Sequence, residues 1–145
     1  MQPELTFDHF GIVCETLERG RAFMSETLAT RNWTIATTDP IQKVHVQFGR
    51  DRVGTVFELI APSEPDSPIA EALKSHKNIL NHLAYRTPSI SDAAAALEGQ
   101  GCFAISQSNP AVAFQNALIQ FFYSPLNFVI ELIEQDISSH VFDNI

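Results

Sequence analysis

The chain has 145 residues, 45% hydrophobic and 18% charged, with a net charge of −8 at pH 7. That is enough apolar material for one core, and the acidic balance excludes a nucleic-acid partner, which needs a basic face to displace counterions from phosphates. No apolar run reaches the roughly 18 residues of a membrane helix, the first four residues carry no secretory pattern, and Cys14 and Cys102 lack any ligand spacing, so the expectation is a cytoplasmic protein with buried free thiols and no membrane partner.

Residues 5–13 alternate as a strand, with Phe7, His9, Gly11 and Val13 on one face. Over residues 16–28, Leu17, Phe23, Met24 and Leu28 have helical spacing. Residues 33–38 read as a strand and Asp39-Pro40 as a turn. In the strand 43–48, Val44, Val46 and Phe48 face one way, and Lys43, His45 and Gln47 the other. A charged loop at 49–54 leads to the strand 55–61, which carries Glu58. This βαβββ module, 5–61, is followed by a linker, 62–79, in which Asp66-Ser67-Pro68 opens a short helix reaching about Lys74.

The second module, 80–134, repeats the order: a strand at 80–87, an alanine-rich helix at 91–98 and strands at 102–106, 116–123 and 128–134. Ser89 or Ser91 caps the helix, and Gly99 and Gly101 close it. The tail, 135–145, shows no period. The two modules together make a single domain, 1–145.

A repeat organises the whole chain. Phe7-Asp8-His9-Phe10-Gly11 returns as Leu80-Asn81-His82-Leu83-Ala84, and Val56-Phe57-Glu58-Leu59-Ile60 returns as Val129-Ile130-Glu131-Leu132-Ile133. His9 to His82 is 73 residues, and Glu58 to Glu131 is again 73. One shared offset marks two copies of one unit, each supplying a histidine and a glutamate. A lone strand histidine is ordinarily a core or rim residue and a lone strand glutamate ordinarily faces solvent; four such groups in register read as a metal-ligand set. The same offset sets Gln47 over Gln120, and both are expected to face the cleft of those ligands as substrate-binding groups.

These residues resemble the vicinal oxygen chelate superfamily, which includes glyoxalase I, methylmalonyl-CoA epimerase, extradiol dioxygenases and the bleomycin and fosfomycin resistance proteins. The resemblance spans roughly residues 6–134. Phe7-Asp8-His9, Gln42-Lys43-Val44, Glu58-Leu59-Ile60-Ala61-Pro62, Asp66-Ser67-Pro68-Ile69-Ala70, Asn81-His82 and Ile130-Glu131-Leu132 are most similar to the epimerases. The resemblance implies an α+β fold whose two βαβββ modules form a cupped eight-stranded mixed sheet, one divalent metal ion, a homodimer, and a small-molecule substrate chelated through neighbouring oxygens. The family's four metal ligands fall on His9, Glu58, His82 and Glu131. Two departures stand out. Epimerases commonly read His-His where this chain has Asn81-His82, and some carry a catalytic carboxylate on the third strand, where this chain has no acid between Asp39 and Asp51 and only His45 can titrate.

Two imidazoles and two carboxylates suit Co, Mn, Ni, Zn or Fe with positions left open for substrate, whereas a closed structural zinc site favours cysteine. Such an ion acts as a Lewis acid on a carbonyl oxygen while a neighbouring base takes the adjacent proton. Glu131 is expected as that base, with Glu58 as its counterpart and His45 as the third-strand group. Arg86, on the His82 face, is a candidate to meet an anionic substrate group. The leading expectation is a metal-dependent isomerase or epimerase acting on an acyl-CoA thioester. A glyoxalase I-like lyase acting on a glutathione hemithioacetal and a non-catalytic, resistance-type binding protein are the alternatives.

Overall fold

The computed structural model describes residues 3–77 and 79–136. Packing divides the chain between Asp8 and His9 and again between Asn81 and His82. Of the described residues, those from His9 to Asn81 form one unit, and residues 3–8 form the other with residues 82–136.

The first unit holds most of β1 (Thr6–Val13), then α1 (Leu17–Thr27), β2 (Thr37–Asp39), β3 (Val44–Arg50), β4 (Val56–Pro62) and α2 (Ala70–Ser75). Its strands are ordered β2-β3-β4-β1, with β1 parallel to β4 and the other pairs antiparallel. Helix α1 starts where the extended Thr16 turns its hydroxyl to accept from the Arg19 amide, satisfying one donor that the first turn leaves open. The helix lays Leu17 and Met24 on Leu59 and Ala61 of β4, with Ile12, Cys14, Trp33 and Phe57 around them. Gly20 permits this close seating, because a Cβ there would come within 2.9 Å of Cys14 Sγ and 3.1 Å of Leu59 Cδ1.

The second unit contains β5 (Leu80–Thr87) from His82 on, α3 (Ile90–Gly99), β6 (Phe103–Ala104), β7 (Asn109–Ala111), β8 (Ala117–Tyr123) and β9 (Val129–Glu134). The order is β5-β9-β8-β6, with β7 also paired to β8, and β5 runs parallel to β9. Ser89 caps α3 by accepting from the Asp92 amide. Ile90 and Ala93 then pack on Cys102, Phe122, Ile130 and Leu132. The amino-terminal residues join this unit through side chains: Leu5 packs on the same cluster, the Phe7 ring stands edge-on to Tyr85 at 5.5 Å, and Asp8 pairs with Arg86.

The sheet is mixed and the fold α+β, as the family resemblance implies, with local differences. Of the strand expected at 33–38 only Thr37 and Thr38 pair with β3, and Asp39, expected in a turn, pairs with it too; Trp33 is held by its indole N–H on Ser25 Oγ and Thr34 by its amide on the Phe48 carbonyl. Of the expected strand 102–106 only Phe103–Ala104 pairs with β8, as β6, and a second short strand, β7 at Asn109–Ala111, pairs with β8 beyond it. Helix α2 begins at Ala70 behind Ile69, which makes no side-chain cap. The expected capping residues are used otherwise: Asp66 takes Lys43 as its partner, and Ser67 closes a turn by its amide on the Glu64 carbonyl. Of the tail, residues 137–145 lie outside the described residues.

Among the described residues no helix is long and apolar enough to cross a membrane. Both cysteines are free. Burial pushes the Cys14 thiol up to about 11 and raises that of Cys102, so both stay protonated near neutrality.

A Cβ at Gly49 would lie 2.7 Å from two atoms of the Trp33 ring and 2.8 Å from Thr30 Cγ2. Gly49→Ala is therefore expected to lower stability by about 1–3 kcal/mol, the usual cost of forcing a packed core apart. Urea unfolding measures it, and an unchanged midpoint contradicts the packing described.

Candidate functional site

Residues directly paired on neighbouring strands point to the same side of a sheet. In the first unit Glu58 on β4 is paired with Gly11 on β1 and with Phe48 on β3. His9 lies two residues before Gly11 and shares its side. Glu58 is thus flanked by a residue with no side chain and by an aromatic ring, with His9 on the diagonal. His9 Nε2 stands 3.2 Å from Glu58 Oε1, and both residues are buried. The edge-to-face contact of the His9 and Phe48 rings, at 5.2 Å and 84°, completes the group.

The second unit builds the same arrangement from the repeated residues. Glu131 on β9 is paired with Ala84 on β5 and with Phe121 on β8. His82 Nε2 lies 3.1 Å from Glu131 Oε1, both residues are again buried, and the Phe121 ring meets the His82 ring at 5.7 Å and 70°. In each unit the structure therefore brings the sequence-predicted histidine to its sequence-predicted glutamate.

The other predicted residues take different places. Gln47 is paired with Leu59 and His45 with Ala61, which puts both on the α1 side of the sheet, away from Glu58. Gln120 is paired with Leu132, on the α3 side, away from Glu131. The expectation that these three face the ligands is corrected by the register: the glutamate side of β3 carries Val44, Val46 and Phe48. Gln47 accepts from Arg21 at 2.7 Å and donates to the Thr34 carbonyl at 2.7 Å. Gln120 accepts from the Ser108 hydroxyl at 3.3 Å and donates to the Ser106 carbonyl at 3.1 Å. Both amides thus pin the segment before their own strand, and His45 Nδ1 shares a 2.7 Å hydrogen bond with Thr38 Oγ1. Arg86 is on the expected face, but its Nε meets Asp8 Oδ1 at 3.0 Å in a buried pair. The anionic group it finds is a residue of this chain.

Sequence reasoning passed over Phe48, Phe121 and Asp8. The two phenylalanines obey the same 73-residue offset as the histidines and glutamates, which is the signal that identifies them.

Whether the donors fit a metal can be tested on their spacing. Two ligands about 2.1 Å from an ion and at a right angle to each other lie about 3.0 Å apart, close to the 3.2 and 3.1 Å of the two pairs. Burial adds to this, since a carboxylate removed from water needs a cation or strong donors. His9, Glu58, His82 and Glu131 are all buried and are of residue types that could hold a metal ion.

The sequence profile of the glyoxalase/bleomycin resistance protein/dioxygenase superfamily matches residues 8–123. The chain belongs to that superfamily. Among solved structures, methylmalonyl-CoA epimerase from Mycobacterium tuberculosis is similar with a TM-score of 0.75 at 21% identity, over 90% of this chain and 87% of that one. A hypothetical protein of Bacillus halodurans C-125 gives 0.79 at 21% identity, over 94% and 99%. A methylmalonyl-CoA epimerase in complex with methylmalonyl-CoA and NH4+ gives 0.73 at 21% identity, over 90% and 94%. At these identities the likeness is one of fold, the vicinal oxygen chelate fold of the superfamily. No curated protein matches the sequence.

Removing the buried Gln47 amide leaves the Thr34 carbonyl without its donor, so Gln47→Leu is expected to lose about 1–3 kcal/mol of stability while bound metal is unchanged. His45→Ala is expected to change neither. Thermal unfolding and elemental analysis check the two variants, and loss of metal from either returns these residues to the site.

Proposed function

We propose that the protein is a metal-dependent isomerase or epimerase of the methylmalonyl-CoA epimerase type, removing a proton next to a thioester carbonyl, with one divalent ion held by His9, Glu58, His82 and Glu131. The observation that carries this reading is the pair of buried contacts, His9–Glu58 and His82–Glu131, built identically in two units. When bound, the ion (Co, Mn, Ni, Zn or Fe) supplies Lewis acidity to a substrate carbonyl oxygen and so acidifies the adjacent C–H. Glu131 accepts that proton. Its Oε1 stands 3.1 Å from His82 Nε2. Glu58 is the counterpart that returns a proton from the other pair. Val44, Val46 and Phe48 make the Glu58 side of β3 apolar. An acyl-CoA is the proposed substrate class, supported by the epimerase that was solved with methylmalonyl-CoA. Two free thiols suit a cytoplasmic setting, and a homodimer is the proposed assembly.

A glyoxalase I-like lyase is the second reading, favoured by one observation. With His45 turned to the α1 side, the symmetric carboxylates Glu58 and Glu131 are the proton carriers left, and such a pair can shuttle a proton across an enediolate without a third-strand acid.

Elemental analysis of protein purified without chelator is expected to find about one divalent ion per chain, lost in His82→Ala and in Glu131→Ala. The loaded protein is then expected to exchange the C2 hydrogen of methylmalonyl-CoA for deuterium in heavy water. Formation of lactoylglutathione from methylglyoxal and glutathione, without that exchange, selects the lyase. No ion, and no uptake of added Co, Mn, Ni or Zn, leaves a binding protein on the same fold.

A further inference from the structure

The strands β3 and β8 occupy equivalent places, residues 44–50 and 117–123, and can be compared position by position at the 73-residue offset. Val44 faces Ala117 in this comparison, His45 faces Leu118, Val46 faces Ile119, Gly49 faces Phe122 and Arg50 faces Tyr123. The two strands are identical only at Gln47/Gln120 and Phe48/Phe121. The glutamines have a structural reason, their hydrogen bonds to the preceding segment. The phenylalanines need another. Filling space alone would accept leucine or isoleucine, particularly at Phe121, which is only half-buried.

What Phe48 and Phe121 share is contact with the ligand histidines. Each is paired across from the glutamate of its unit and sets its ring edge-to-face with the imidazole. The terminal torsion of a histidine is broad and soft, so the contact of Nε2 with Glu fixes the position of one atom and the ring plane depends on everything else the imidazole meets, the perpendicular phenylalanine among it. An aromatic face prefers a perpendicular partner, whereas an aliphatic chain of equal bulk has no such preference. Gly11 and Ala84, also 73 residues apart and beside the same glutamates, leave the opposite flank without a bulky side chain, so the phenylalanine is the wall on which the imidazole leans.

We propose that Phe48 and Phe121 are positioning residues of the metal centre, fixing the planes of His9 and His82 so that each Nε2 is presented with its glutamate; this rests on the metal-centre reading given above. The test is cobalt(II) titration of the full chain, followed by calorimetry and by visible absorption, with the unfolding temperature of the metal-free protein measured alongside. Phe121→Leu is expected to weaken cobalt binding roughly tenfold and to change the visible bands, as one lost ring contact at a ligand would, with the metal-free unfolding temperature nearly unchanged. Phe121→Tyr, which keeps the ring, is expected to restore both affinity and spectrum. Phe48→Leu should behave as Phe121→Leu does; if that deeply buried change prevents folding, the Phe121 variants decide. Unaltered affinity and spectrum in Phe121→Leu overturn the proposal while leaving the metal centre intact. So does a loss that follows the unfolding temperature and is not rescued by tyrosine, which marks the ring as packing alone. Failure of the unsubstituted protein to bind cobalt overturns the metal-centre reading, and this inference with it.

Discussion

The register of two parallel strand pairs, β1 with β4 and β5 with β9, is the constraint on which the candidate site depends. Pairing Gly11 with Glu58 and Ala84 with Glu131 sets each carboxylate on the side of its histidine, two residues from the small residue opposite. A slip of one residue would turn each glutamate toward a helix and each of Leu59 and Leu132 away from one, exchanging a buried apolar side chain for a buried charge. Leu59 and Leu132, fully buried under α1 and α3, therefore hold the glutamates in place as firmly as any contact the glutamates make. The core and the chemistry are two faces of the same strands. The helices anchor one face and thereby determine the other.

The histidine–glutamate pairs were legible because an ionisable residue inside an apolar strand is conspicuous, and because the same spacing produced it twice. His45, Gln47 and Gln120 are conspicuous in the same way, yet they belong to the opposite face. The alternation along 43–48 correctly separated Val44, Val46 and Phe48 from Lys43, His45 and Gln47; only the cross-strand pairing of Phe48 with Glu58 says which of those faces meets the carboxylate. The polar face was the natural assumption for a binding cleft. Here the polar groups serve hydrogen bonds to Thr34, Thr38 and Ser106, and the glutamate side is apolar. Phe48 and Phe121 illustrate the converse. An aromatic residue in an apolar strand announces no chemistry, although the offset that revealed the histidines applies to it equally.

The linker shows where local signals yield to tertiary ones. Asp66-Ser67-Pro68 has the composition of a helix start, but Asp66 is engaged by Lys43 and the chain turns once more before α2 begins at Ala70. Residues 33–36 likewise have strand-forming side chains, while Trp33 and Thr34 bond to Ser25 and Phe48 in a geometry that continues no ladder until Thr37. Arg86 was read correctly as facing the His82 side. Its partner Asp8 lies at the other end of the sequence, where no local pattern points to it.

That pairing carries a consequence for how the chain is made. Leu5, Phe7 and Asp8 come before the whole first unit in the chain, yet the side chains they pack on, Tyr85, Arg86 and the α3 cluster, are translated only after it. The intervening unit, residues 9–81, can complete its own core in the meantime. The amino-terminal segment must therefore wait as an open tether and dock late, closing one of the longest loops in the molecule at an entropic cost that local contacts do not carry. Residues 3–8 thus find their packing only when the second half of the repeat exists.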